Sequence, residues 1–141
     1  MNTQIVRNWM ISNPITTTPQ TTLINVRQLM LDHHLHILPV VNGNKLVGVV
    51  TWPDIHRAEA WDGVDFGGYE LNSLLEQLTA KEFMSYVLIT ISPVATIEEA
   101  ASLMLERKIG GLLVVEDDKL VGVITESDFC RLLIVQSENV A

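Results

Sequence analysis

The sequence predicts a mixed α/β (α+β) fold of two pseudo-symmetric β-α-β-β-α units packed sheet to sheet, and three observations carry that prediction. First, the 141 residues repeat themselves without a gap, in a frame that lays Met10 on Met84, Thr16 on Thr90, Pro19 on Pro93 and Thr22 on Thr96. The same frame lays Lys45-Leu46-Val47-Gly48-Val49 on Lys119-Leu120-Val121-Gly122-Val123, Thr51 on Thr125 and Asp54 on Asp128. A frame held this long marks two copies of one supersecondary unit. Second, in each copy a helical pattern follows a short β-rich stretch. Third, two apolar runs around a polar turn follow that helix. One such unit of roughly 50 residues buries too little apolar surface to be safely stable alone, so the copies are expected to pack face to face about an approximate two-fold axis.

The elements follow in order. PITTTP and VLITISP are the β-rich stretches, and Pro19 and Pro93 end them because proline cannot donate to a ladder. In the second copy Thr96-Ile97-Glu98-Glu99 is a capping box, and Ile97, Ala100, Ala101, Met104 and Leu105 recur at helical spacing. In the first copy Thr22 precedes Leu23, Val26, Leu29 and Met30 in the same pattern. These Met and Leu stripes are expected in the core. HILPVV and KLVGVVT around NGN, and GLLVV and KLVGVIT around EDD, read as β-hairpins, with Asn42-Gly43 the stronger turn signal. A helix then follows each hairpin, in DIHRAEAW and in FCRLLIV. The implied organisation is a first unit over 5–65, a linker over 66–80 and a second unit over 81–137. Within the linker, Leu71, Leu74, Leu75 and Leu78 predict a connector helix whose apolar face has Trp61 and Phe66 nearby.

Composition excludes several classes of function. Nine basic against seventeen acidic residues leave a formal charge of -8, which argues against the basic surface a nucleic acid requires. An apolar share of 48% is ample for a packed interior, yet no apolar run is long enough for a signal peptide or a membrane span. Cys130 is the only cysteine, so there is no intramolecular disulfide and no multi-cysteine metal site, and a reducing, cytoplasmic location is expected.

The chemistry concentrates where each hairpin meets its following helix. GVITESD sets Thr125, Ser127 and Asp128 on one joint, and GVVTWPD sets Thr51 and Asp54 on the other. First-turn amides and the helix dipole favour an anion, and Thr or Ser hydroxyls add hydrogen bonds to a phosphate oxygen. An ionised Asp only accepts, which suits the neighbouring 2′ and 3′ hydroxyls of a ribose. Diol and phosphate together describe a nucleotide. The same residue types are also good helix N-caps, and Pro53 suits a first helical turn, so a plain helix start accounts for them equally.

The doubled unit, the hairpin HILPVV…KLVGVVT and the ending GVITESD resemble a tandem pair of cystathionine β-synthase (CBS) domains, over about residues 5 to 135. The linker YELNSLLEQLTAKEFM is similar to that of small stand-alone bacterial CBS-pair proteins. The resemblance implies two clefts between the paired units, each able to hold AMP, ADP, ATP or S-adenosylmethionine as a regulatory ligand. It places Thr125, Ser127 and Asp128 in the polar half of one cleft, with Asp128 on the ribose. The adenine wall of that cleft would come from Ser12, Asn13, Pro14 and Ile15 and from Leu35, His36 and Ile37. The mirror cleft would use Thr51 and Asp54 with Tyr86, Val87, Ile109, Gly110 and Gly111. It is expected to be the weaker one, because Pro53 stands where the second copy has Ser127 and removes a hydroxyl and a backbone donor, while Trp52 adds bulk.

Other candidates carry less. His33, His34 and His36 sit within four residues, but His33 and His34 fall at a helix end and no ligand partner is close in sequence, so no metal site is expected. Neither glycine pair, Gly67-Gly68 or Gly110-Gly111, continues as a phosphate loop, and Cys130 reads as a small core residue. No catalytic constellation assembles. The expectation is a non-catalytic sensor that binds an adenosine-containing ligand, forms a homodimer and regulates another protein in trans, with no nucleic acid or membrane partner. A structural or oligomerisation module with empty clefts is the alternative.

Overall fold

A computed structural model of the chain describes residues 4–60 and 77–139. The chain divides into two compact units, one formed by Ile15–Leu88 and the other by Met1–Pro14 together with Ile89–Ala141. Of the expected connector, Trp61, Phe66, Leu71, Leu74 and Leu75 lie outside the described residues.

In the unit Ile15–Leu88, helix α1 (Leu23–Asp32) starts at Thr22, whose hydroxyl accepts from the Asn25 amide at 3.4 Å. Leu23, Val26 and Met30 fall on one face and are buried. Strands β2 (Ile37–Asn42) and β3 (Lys45–Thr51) form an antiparallel hairpin from Ile37 opposite Thr51 to Asn42 opposite Lys45. Gly43 turns the chain at φ 64°, a value that costs glycine little. On the outer edge of β2, Thr17 bridges Val40 in parallel, all that PITTTP contributes as strand. Helix α2 (Trp52–Glu59) leaves β3 directly, and the short helix α3 (Ala80–Phe83) leads to Ser85, which bridges Val49 of β3. The core joins Leu38, Val40, Val50 and Ile55 to the buried face of α1 and to Ala80 and Met84.

The other unit repeats this plan. A 3-10 turn over Val6–Asn8 leads into β1 (Ile11–Ser12), which pairs antiparallel with β6 (Lys119–Thr125). Strand β4 (Thr90–Ile91) runs parallel to β5 (Gly111–Glu116), and β5 pairs antiparallel with β6. Helix α3's successor, α4 (Ile97–Arg107), carries the complete capping box: Thr96 Oγ1 accepts from Glu99 N at 3.0 Å and Glu99 Oε2 from Thr96 N at 3.3 Å. Helix α5 (Glu126–Asn139) follows β6. Val6, Ile97, Ala100, Met104, Leu112, Val114, Ile124 and Leu132 form the core.

Each unit thus completes its sheet with the segment that precedes the other repeat. Two methionines fasten these segments. Met10 lies against Gly122, where a Cβ would fall 2.5 Å from its sulfur, and Met84 lies in the same way against Gly48.

Two expectations change. The leucine stripes are not wholly core, since Leu105 is 81% exposed; it sits at the outer margin of its helix, past the arc that the sheet covers. Cys130 is exposed for the same reason, being on the outer side of α5. The second hairpin turn is tight as well. Asp117 and Asp118 both take positive φ, 51° and 63°, the pattern of a type I′ turn, which short polar side chains tolerate better than most.

Candidate functional site

The two strand-to-helix joints share one construction. At the end of β3 the Asp54 carboxylate turns back, and its Oδ2 accepts from the Thr51 amide at 2.8 Å and the Thr51 hydroxyl at 2.9 Å. At the end of β6 the Asp128 Oδ2 accepts from the Thr125 amide at 2.8 Å and the Thr125 hydroxyl at 3.4 Å. The other oxygen of each carboxylate, Oδ1, accepts from an arginine one turn on, Arg57 or Arg131. Both aspartates are buried, at 4% and 1% exposure, and both are held entirely by their own unit. The reason is local. A residue at the third helical position with a short acidic side chain reaches the N-cap amide, which has no helical partner.

The arginines are functional candidates that the sequence reading missed, although a signal was present. The repeat lays Arg57 on Arg131, each three residues after its aspartate and therefore on the same helix face. Their side chains remain 70% and 56% exposed, so each guanidinium bridges a buried anion and solvent.

The flanking residues distinguish the joints. Ser127 is exposed beside Asp128, whereas Pro53 is exposed at the matching place beside Asp54. Trp52, which matches Glu126, donates its indole N–H to the Leu35 carbonyl at 2.9 Å and lies 6.1 Å from the His56 ring. In the other unit Glu126 leaves that space open, as a groove of about 450 Å³ between α4 and α5 lined by Met104, Leu105, Lys108, Ile109, Glu126 and Phe129. A smaller pocket, about 340 Å³, borders Asp54 and Arg57, with Ala58, Leu78, Glu82 and Phe83 as its other walls.

The remaining predicted residues divide between the units. Ser12, Asn13, Pro14, Ile109, Gly110 and Gly111 belong with Thr125, Ser127 and Asp128. Within that group Ser12 pairs with Gly122, Gly111 pairs with Thr125, and the Gly110 carbonyl accepts from the Glu126 amide at 3.1 Å. Asn13 has φ 51°, so the chain leaves β1 through a left-handed residue. Ile15, Leu35, His36, Ile37, Tyr86 and Val87 belong with Thr51 and Asp54. There Ile37 lies opposite Thr51, His36 is exposed, and Tyr86 and Val87 are 62% and 72% exposed just after the Ser85 bridge. His33 and His34 close α1 at its C-terminus, and among the described residues no group of three His, Cys, Asp or Glu side chains is placed to hold a metal. No helix among the described residues is long and apolar enough to cross a membrane.

The chain belongs to the CBS domain family: the family model matches it twice, over residues 6–60 and 80–135. It is 35% identical over 122 residues to an inosine-5'-monophosphate dehydrogenase of Korarchaeum cryptofilum, aligning 86% of this chain but only 22% of that enzyme. The chain therefore spans about a fifth of the length of that relative. Among solved structures, AcuB of Vibrio cholerae superposes with a TM-score of 0.82 at 32% identity, covering 97% of this chain and 95% of that one. The CBS domain pair of protein MJ0100, in complex with 5'-methylthioadenosine and S-adenosyl-L-methionine, gives 0.80 at 26% identity, covering 96% and 99%. CBSX2 in complex with AMP gives 0.78 at 26% identity, covering 94% and 97%. The mixed α+β fold with two CBS units is that of these domain pairs.

Proposed function

We propose that the chain is a non-catalytic regulatory module that binds an adenosine-containing ligand at the Thr125–Asp128 joint and signals its presence to another protein. The observation that carries this reading is the pair of buried aspartates at matching strand-to-helix joints, in a chain similar to CBS pairs that bind AMP or S-adenosylmethionine. Asp128 would hold the ribose diol. Thr125, Ser127 and the first amides of α5 would receive a phosphate or another polar tail. The Thr51–Asp54 joint would bind more weakly, since Pro53 offers no hydroxyl there and Trp52 occupies the neighbouring space. Ligand binding shifts an equilibrium only by its difference in affinity for two states, so the signal requires a second state with a different grip on the ligand.

A second reading, that the chain acts through assembly, draws on Leu105, Leu133 and Ile134, which are 81%, 64% and 59% exposed on α4 and α5. We infer a homodimer that covers this surface, compatible with either role.

Calorimetric titration of AMP, ATP and S-adenosylmethionine into wild type and Asp128→Asn tests the binding reading. Asparagine still accepts from the Thr125 amide, so the helix start is kept while the charge is lost. Binding of at least one compound, weakened about ten- to a hundredfold in the variant, is expected. Absence of binding for all three in the wild type, or equal binding to both proteins, refutes it.

A further inference from the structure

We propose that Arg131 is a gate on the Asp128 joint: it occupies the carboxylate until a ribose diol displaces it, and the freed guanidinium then receives the ligand's phosphate. The inference rests on the binding reading above and extends it to a residue that takes part in no other step of that reading.

The argument starts from acceptor capacity. A carboxylate offers about four lone-pair positions. At Asp128 three are taken, by the Thr125 amide, the Thr125 hydroxyl and Arg131. A ribose diol brings two donors, so at least one resident donor must leave. The amide is the poorest candidate, because it lies at the first turn of α5 beside a carboxylate with 1% exposure, where an unpaired N–H is costly. Of the other two donors, the Thr125 hydroxyl sits at a long 3.4 Å on the oxygen that also serves the amide, while Arg131, 56% exposed and rehydrated by water on release, covers Oδ1, so its departure is what opens that oxygen to the diol.

The freed charge then has a use. Arg131 stands one turn into α5, on the face that carries Asp128, so its guanidinium is tethered beside the helix start that would receive the phosphate. The second copy supports the assignment independently. Arg57 holds Asp54 in the same way although its neighbours are Trp52 and Pro53 rather than Glu126 and Ser127, so the pairing follows the aspartate and not its surroundings. Arg57 also lines the pocket that borders Asp54.

The gate makes the arginine unfavourable for the diol and favourable for the phosphate, and no purely structural role does both. The test titrates adenosine, which has the diol alone, and AMP, which adds the phosphate, into wild type and Arg131→Gln. Adenosine is expected to tighten about two- to fivefold once the competitor is gone. The preference for AMP over adenosine is expected to fall about tenfold or more, and Arg131→Lys to restore part of it. If both compounds bind wild type and Arg131→Gln with an unchanged ratio, or both weaken equally, the gate is refuted while the binding reading stands. If neither compound binds the wild type, the gate is refuted, and the binding reading is then decided by ATP and S-adenosylmethionine.

Discussion

At Asp128 one oxygen serves the Thr125 amide and hydroxyl while the other serves Arg131, so the side chain that would hold a ligand also starts helix α5. Truncation to alanine therefore confounds two roles. Asp128→Ala is expected to lose about 1–2 kcal/mol of stability through the lost cap, and Asp128→Asn markedly less, as measured by urea unfolding of ligand-free protein. Equal losses in the two variants would show that the charge, not the acceptor geometry, matters to the helix start. The aspartates were legible in the sequence because the repeat doubles them at a strand-to-helix joint. Their orientation was not, since a capping residue and a diol-binding residue require the same atoms in the same place. The arginines went unread because the repeat that doubles them does not show what a basic residue on an exposed helix face pairs with until the direction of the aspartate is known.

Among the elements, the hairpins and helices followed from local patterning: the Thr96–Glu99 capping box, the apolar face of α1 and the runs around NGN and EDD all lie where expected. The exchange of leading segments did not follow, because the repeat aligns Met10 with Met84 and Gly48 with Gly122 but contains nothing to say which methionine meets which glycine. The structure puts Met10 on Gly122 and Met84 on Gly48. A Cβ at Gly122 would also lie 2.9 Å from the Ile11 carbonyl oxygen, a backbone atom of a paired strand, whereas at Gly48 the nearest atoms all belong to the flexible Met84 side chain. Gly122→Ala is thus expected to cost about 1–3 kcal/mol and to resist rescue by Met10→Ala, while Gly48→Ala is partly rescued by Met84→Ala. Thermal melts of the single and double variants distinguish the two sites, and equal rescue at both would contradict the contacts described. The EDD turn offers a gain instead. Asp117→Asn with Asp118→Gly places the favoured Asn-Gly pair on two left-handed residues and is expected to raise stability by about 1 kcal/mol, read from the shift in the unfolding midpoint.

For the whole molecule, the two-unit plan was legible because the repeat spans nearly the full chain, and the comparisons establish its family. What a monomer sequence conceals is which apolar residues are left for other chains. Leu105 matches the helical stripe that reads as core, and only its exposure, 81%, separates it. The homodimer inferred above predicts a dimeric wild type in light scattering at micromolar concentration and a monomeric Leu105→Glu with its fold intact by circular dichroism; a monomeric wild type, or a mass unchanged by the substitution, would contradict that inference. The claim on which the account turns is that Asp128 takes a ribose diol, and its most direct test is a calorimetric comparison of AMP with 2′,3′-dideoxy-AMP on the wild-type chain. Loss of the two hydroxyls is predicted to weaken binding by about tenfold or more. Equal affinity for the two compounds would contradict it.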